Sequence, residues 1–178
     1  MTVMYSAKTV KQLRTMSGSL LKKITDELGL IGICINDNPH GSMYQDDNVV
    51  VITISEIDSW VQIVNFSAGE CGNGITFNAN TLVLDSDCSC TSAIMWNATI
   101  ENGKDSIFEM AISINDAIKV GTKSKAFSNI VDMPYALSSA SPFLCLTAND
   151  IIKLEIRNRE STDDVTITHA TVTILKAA

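Results

Sequence analysis

Histidine, serine and acidic side chains are the groups in this sequence whose types could support catalysis. The chain has two histidines, His40 between a proline and a glycine and His169 within an alternating apolar stretch. A serine hydrolase needs one of them beside an activated serine, and no Gly-x-Ser-x-Gly elbow occurs. We therefore expect the ring of His169 to pack or to form a hydrogen bond in a structural role. We predict no catalytic residue and no enzymatic activity.

Cysteine spacing leaves three alternatives for the five thiols. Cys88 and Cys90 could share a strand face and, with Cys71 and a histidine, supply four zinc ligands. The spacing lacks the usual two-to-four-residue knuckle, however, and a disulfide is the second alternative. Reduced thiols acting as small buried hydrophobes fit the apolar, irregularly spaced positions best. The cysteines are Cys34, Cys71, Cys88, Cys90 and Cys145. We predict no metal and no cofactor.

Two acidic pairs, Asp85-Ser86-Asp87 and Asp163-Asp164, could in principle bind calcium. Neither is followed by the glycine and distal glutamate of an EF-hand loop. Both are better interpreted as solvated loops.

Charge is unevenly distributed along the 178 residues, which carry a formal net charge of -7 and have a pI of about 4.7. Five cations precede the first acid, Asp26, and the next cation is Lys104. An acidic body argues against nucleic acid as a partner. No signal-peptide core and no apolar run of roughly 20 residues is present, so we expect no export signal and no membrane span.

The N-terminal segment has the apolar spacing of an amphipathic helix from Ser6 to Leu28, with Gly29 as a stop. We predict that residues 1–35 form a helical anchor that docks into a partner protein. A basic helix on nucleic acid or an anionic membrane, and a helix packed on its own domain, are the alternatives. The expected docking residues are Lys8, Lys11, Leu13, Arg14, Leu20, Leu21 and Ile24.

The rest of the chain has the pattern of an antiparallel β-sandwich. Asn36 to Asn48 is polar and turn-rich, so residues 36–56 are predicted as a linker and a leading strand. From residue 57 to 178 about ten short strands alternate with turns, without a βαβ pattern. Glu101 to Lys104 has the Asn-Gly signal of a hairpin, and Asn115-Asp116 predicts another tight turn.

The stretch from Thr147 to Leu175 predicts two antiparallel strands joined by a polar loop. Lys153, Glu155 and Arg157 alternate with apolar residues, which indicates a solvated outer face or a polar subunit contact. The apolar phase slips by one residue between Ile167 and Val172. Since such a slip would reverse every later side chain, a β-bulge near His169-Ala170 is expected.

The segment from Gly121 to Ser141 is long for a connection in a sandwich, and long loops often carry binding residues. Phe127, Met133 and Tyr135 within it are candidates for contact with another subunit or with a receptor glycan. Burial of these three side chains against the chain's own sandwich is the alternative.

The strand patterns follow one another in a characteristic order. Three come first, at Trp60 to Ile63, Gly74 to Phe77 and Thr81 to Leu84; one is central, at Phe108 to Ile112; and two lie between Leu146 and Ile174. In this order they resemble the opening, central and last two strands of the C1q/TNF-like jelly rolls of phage virion proteins. The resemblance implies a jelly-roll sandwich and a non-enzymatic module that assembles as a trimer.

The same resemblance implies a place on a phage particle. We expect an accessory jelly roll, either a capsid decoration or a head fibre, made in the host cytoplasm and located in the virion. Its partners would be copies of itself and a capsid, portal or tail protein. The alternative is a receptor- or carbohydrate-binding module of a tail fibre or tail tip, with a host surface glycan as ligand.

Overall fold

The structure is a computed structural model that describes residues 39–86, 89–102, 106–128 and 133–176. The predicted N-terminal helix, with its docking residues from Lys8 to Ile24, lies outside the described residues, as do Cys34 and Cys88. Within the described residues, no helix is long and apolar enough to span a membrane.

Two antiparallel sheets form the described part of the chain. The first has the strand order β10-β6-β12-β1-β3 and the second has the order β4-β5-β11-β7-β8, with β2 also paired to β11 and β9 to β7. The strands are β1 (His40–Ile52), β2 (Val61–Gln62), β3 (Ser67–Gly72), β4 (Ile75–Asn78), β5 (Thr81–Leu84), β6 (Cys90–Asn102), β7 (Ser106–Ile114), β8 (Ala117–Ile118), β9 (Ser124–Ser128), β10 (Tyr135–Leu146), β11 (Ile151–Asn158) and β12 (Val165–Lys176). A short 3₁₀ helix, Val120–Thr122, connects β8 to β9.

Alternating apolar residues from both sheets fill the space between them. In the five-stranded sheet, β6 contributes Ile94, Trp96, Ala98 and Ile100, all buried. In the seven-stranded sheet, β7 contributes its apolar residues from Phe108 to Ile114. These are the sets that the period of two predicted, since alternate side chains of a strand share a face.

Thr122 connects the two sheets through hydrogen bonds. Its carbonyl accepts a bond of 2.9 Å from the indole N–H of Trp96 on β6. Its Oγ1 accepts a bond of 2.9 Å from the backbone N–H of Ile112 on β7 and donates to the carbonyl of Lys119. The indole N–H of Trp96 is therefore satisfied inside the core, where an unpaired donor would cost stability.

The two strands predicted between Thr147 and Leu175 exist, but they do not pair with each other. β11 pairs with β7 in the seven-stranded sheet, whereas β12 lies between β6 and β1 in the five-stranded sheet. The hairpin predicted at Glu101 to Lys104 is wrong for the same reason, because β6 and β7 belong to different sheets. The alternation of a strand defines its buried face, and it does not define its neighbour.

The β-bulge predicted near His169-Ala170 is confirmed one residue earlier in β12. Ile167 lies opposite Ile100 and His169 lies opposite Thr99, so Thr168 is the extra residue. Strand β1 has its own irregularity opposite the same place, between Asp46 and Val50. The bulge places Ala170, Val172 and Ile174 on the buried face.

Two segments interpreted as loops are strands in the structure. Residues 40–48 form the first part of β1, which pairs with β12 and β3, so the loop predicted for Asn36 to Asn48 is wrong over these residues. The segment from Gly121 to Ser141 contains β9 and the first half of β10. Both segments are polar because one face of each strand is turned outward.

The tight turn predicted at Asn115-Asp116 is confirmed. It joins β7 to β8, with Ile114 opposite Ala117, and its two central residues have φ angles of 51° and 63°. Positive φ at both central positions is the geometry of a type I′ hairpin turn, which asparagine and aspartate tolerate better than most residues.

Candidate functional site

The outer surface of the seven-stranded sheet carries an ion network centred on Arg157 of β11. Arg157 lies opposite Glu109 of β7 in the register. Its Nε and Nη2 donate to Glu109 Oε2 at 3.0 and 2.6 Å, and its Nη1 lies 2.9 Å from Asp58 Oδ1. One guanidinium thereby satisfies two carboxylates from distant parts of the chain.

A second arginine and an aromatic ring complete the network. Arg159 Nη1 lies 3.2 Å from Glu109 Oε1 and its Nε lies 3.4 Å from Asp58 Oδ1. Two cations lie over the Trp60 ring, with Arg157 Cζ 4.6 Å and Lys123 Nζ 5.6 Å from its centroid. Both distances fall within the range of cation–π attraction.

The network determines the ionisation of Glu109. Burial by itself would raise the pKa of this carboxyl group, but the hydrogen bond and the charge of Arg157 oppose that effect. Together with the charges of Arg159 and Lys123, they hold the pKa of Glu109 below its ordinary value. Glu109 is therefore a carboxylate at neutral pH, although its side chain is only 10% exposed.

This arrangement differs from a solvated outer face of β11, which was one of the two predicted alternatives. Glu155 is buried and accepts a hydrogen bond from Ser113, and the side chain of Arg157 is only 14% exposed. Lys153 forms an ion pair with the exposed Asp116. The polar alternation of β11 was visible in the sequence, but Asp58 and Trp60 come from a segment about 100 residues away.

Two further side chains extend this surface onto β9. Lys125 lies opposite Glu109 and Phe127 lies opposite Ile107, so the side chains of Lys125 and Phe127 lie on the same outer surface. Both are exposed. We call this surface the charged face, and it consists of Asp58, Trp60, Glu109, Lys123, Lys125, Phe127, Arg157 and Arg159.

The structure separates the three residues predicted as one contact loop. Phe127 lies on β9 in the seven-stranded sheet and is 53% exposed. Tyr135 begins β10 in the five-stranded sheet and packs against the core. Met133 lies in the connection just before β10 and is exposed. Of the three, only Phe127 belongs to the charged face.

The outer surface of the five-stranded sheet has a different composition. One row across its strands consists of Ser138, Asn97, Thr171 and Tyr44, and Asn97 donates a hydrogen bond of 2.7 Å to Thr171 Oγ1. The next row consists of Ala140, Met95, Thr173 and Ser42. We call these two rows the neutral face, because none of their eight side chains carries a charge. Tyr44 and Met95 are exposed there.

Both histidines of the chain lie at the ends of the neutral face. His169 Nδ1 lies 3.3 Å from Asp46 Oδ1, next to the bulge of β12, which agrees with the structural role predicted for this residue. His40 is the first residue of β1 rather than part of a loop, and its Nε2 lies 3.9 Å from Glu70 Oε1.

The described thiols are free, and they are less buried than the sequence suggested. Cys71 and Cys90 are half-buried and Cys145 is exposed. Cys90 and Cys145 border an open depression of about 410 Å³. Among the described residues, no group of three or more His, Cys, Asp or Glu side chains is arranged to hold a metal ion. Asp164 instead accepts a hydrogen bond from the backbone of Ile54, and Asp163 accepts one from Ser161.

No protein-family model matches this sequence, and no curated protein matches it. Solved structures do resemble it. The Eiger TNF of S. frugiperda aligns at 14% identity and a TM-score of 0.55, over 79% of this chain and 94% of that one. The globular domain of zebrafish complement 1qA aligns at 9% identity and a TM-score of 0.50, over 80% and 98%. PRD1 vertex protein P5 aligns at 12% identity and a TM-score of 0.48, over 79% and 97%.

At these identities the likenesses define the fold alone. They agree with the antiparallel two-sheet topology and with the resemblance that the strand pattern indicated. The described part of this chain has the TNF/C1q-like jelly-roll fold.

Proposed function

We propose that this protein is a non-enzymatic structural subunit that self-associates through the neutral face and forms an accessory component of a phage particle. The neutral face carries the proposal. It is a contiguous, uncharged surface with exposed Tyr44 and Met95, in a chain whose net charge is -7.

The physical case for self-association is electrostatic. Most surfaces of an acidic protein repel a second copy, whereas an uncharged surface can be brought against another subunit without desolvating an ion. The cores of protein interfaces are depleted in charged residues and enriched in tyrosine and methionine. Among the described side chains, the acidic groups that border the two neutral rows are Asp46 and Glu70, and each lies near a histidine.

The placement on a particle is supported by the resemblance to virion jelly rolls and by the separate basic N-terminal segment. Residues 1–35 carry five of the 13 cations of the chain and an amphipathic pattern. In this proposal they dock the subunit onto a capsid, portal or tail protein, and the jelly roll is displayed outward as a decoration or head fibre.

Sedimentation analysis of the full-length protein tests self-association. At micromolar concentration we expect a single species with the mass of a trimer. A monomer under these conditions would overturn the assembly proposal.

Deletion of residues 1–32 tests the anchor. The shortened protein should remain folded and oligomeric, as judged by circular dichroism and sedimentation, but should no longer join the particle. Unchanged incorporation into the particle would contradict the anchoring role. It would not bear on self-association, which the sedimentation experiment tests.

A further inference from the structure

The charged face concentrates cations in a protein that is acidic overall. It holds four cations, Arg157, Arg159, Lys123 and Lys125, and two carboxylates, Asp58 and Glu109. When the other outward charges of β11, Lys153 and Glu155, and the Lys153 partner Asp116 are included, there are five cations and four carboxylates. The whole chain, by contrast, has a formal net charge of -7. An excess of cations on one surface of an acidic protein attracts an anionic partner to that surface.

The two lysines are available to such a partner. The arginines already share Glu109 and Asp58, whereas among the described residues neither Lys123 nor Lys125 forms an ion pair. Both lysines are exposed. Lys123 lies over the Trp60 ring, and Lys125 lies on β9 opposite Glu109.

An exposed aromatic ring lies next to these cations. Phe127 is two residues after Lys125 on β9, so the two side chains project from the same surface. Phe127 faces Ile107, whose carbonyl accepts a hydrogen bond of 2.9 Å from the backbone N–H of Arg159. The surface therefore presents an apolar ring bordered by guanidinium and ammonium groups.

We propose that the charged face binds an acidic polysaccharide, a chain of sugar rings that carry carboxylates. The C–H face of a sugar ring packs on Phe127, while its carboxylates pair with Lys125 and with the outer donors of Arg159. A polyanion without rings would satisfy the cations but would leave the exposed phenyl ring unused. This inference does not depend on self-association, since it concerns the other sheet.

Binding of polygalacturonate to the full-length protein, measured by titration calorimetry at low salt, tests the proposal. Dextran supplies sugar without charge, and poly-L-glutamate supplies charge without sugar. We expect polygalacturonate to bind with an affinity that falls as salt is raised, dextran not to bind, and poly-L-glutamate to bind at least tenfold more weakly.

Two variants and a matched control locate the site. Lys125→Gln and Phe127→Ala should each weaken polygalacturonate binding by about five- to tenfold, because a charged contact or a packed ring is lost. Lys176→Gln removes the same charge from an exposed lysine on the five-stranded sheet and should change the affinity by less than about twofold. Circular dichroism should show that all three variants remain folded, since each side chain is exposed.

Three results would overturn the proposal. The first is the absence of polygalacturonate binding, and the second is equal weakening by Lys176→Gln, which would indicate attraction by general charge. The third is equal affinity for poly-L-glutamate, which would assign the surface to an acidic protein instead. Each of these can occur with an intact trimer in sedimentation, so they are distinct from failure of the assembly proposal.

Discussion

The outer surfaces of the two sheets differ in how their side chains are made compatible with water. Each sheet must cover its outer side with residues that tolerate water. On the five-stranded sheet, the neutral face does so with uncharged side chains, many of them small or hydroxylated, such as Thr171 and Ser138. The seven-stranded sheet does so with charges, and Arg157 and Glu109 are packed so closely that each is mostly hidden from solvent.

Because of this difference, we expect substitutions on the charged face to affect folding stability and substitutions on the neutral face to affect self-association. Removing one member of a half-buried ion pair leaves the other charge uncompensated, so the charged face is coupled to folding. On the neutral face, replacing a hydroxyl group should change the free energy of unfolding little. Introducing a charge there should weaken self-association strongly. The two faces should therefore respond differently to matched substitutions.

The largest effect on stability is expected from Arg157→Ala. The substitution leaves Glu109 buried without its main partner and also removes one of the two cations that lie over the Trp60 ring. We expect a loss of about 3 kcal/mol in the free energy of unfolding, measured with urea at pH 7 and a fixed protein concentration.

Lys153→Ala is the matched control on the same strand. Its partner Asp116 is largely exposed, so the ion pair is screened and the expected loss is below about 1 kcal/mol. Equal losses for the two variants would mean that burial of the Arg157 network contributes nothing to the fold.

A smaller, pH-dependent effect follows from Glu109. Its pKa in the folded protein lies below the ordinary value of 4.5, so its contribution to stability is complete above that pH and is lost as the pH falls through the folded pKa. The difference in unfolding free energy between the wild type and Glu109→Gln should therefore shrink between neutral pH and pH 3. Urea titrations across this range measure it, and a difference that stays constant would contradict the assignment.

The smallest effect is expected on the neutral face. Thr171→Val keeps the shape and β-propensity of the side chain and removes one exposed hydrogen bond to Asn97. The free energy of unfolding should change by less than about 0.5 kcal/mol. A loss as large as that of Arg157→Ala would remove the contrast between the two faces.

Sequence patterns predicted the buried faces of the strands more reliably than their neighbours. The alternation of β6 and β7 identified the core, and the phase slip in β12 identified a bulge, because both are local consequences of the pleat. The pairing of β11 with β7 depends on which strands lie side by side within a sheet, and a period of two carries no such information. Polar strands such as β1 and β9 were interpreted as loops for a related reason, since one exposed face resembles a loop in composition.

The candidate sites were predicted only in part. Phe127 was predicted as a contact residue from its place in a polar segment; it lies on the charged face, and its contact role stays a prediction. The Arg157 network was not identified, because Glu109 is 48 residues away in sequence and Asp58 lies farther still. The neutral face was not identified either, since its rows exist only after four strands are placed side by side.

Sedimentation of two matched variants tests the central claim most directly. Met95 on the neutral face and Ile151 on the outer surface of the seven-stranded sheet are apolar and equally exposed, at 39% each. Met95→Arg should convert the protein to a monomer of 19.3 kDa, because it places a charge inside the proposed interface, whereas Ile151→Arg should leave a trimer. A Met95→Arg protein that still sediments as a trimer, or an equal dissociation of both variants, would contradict assembly through the neutral face.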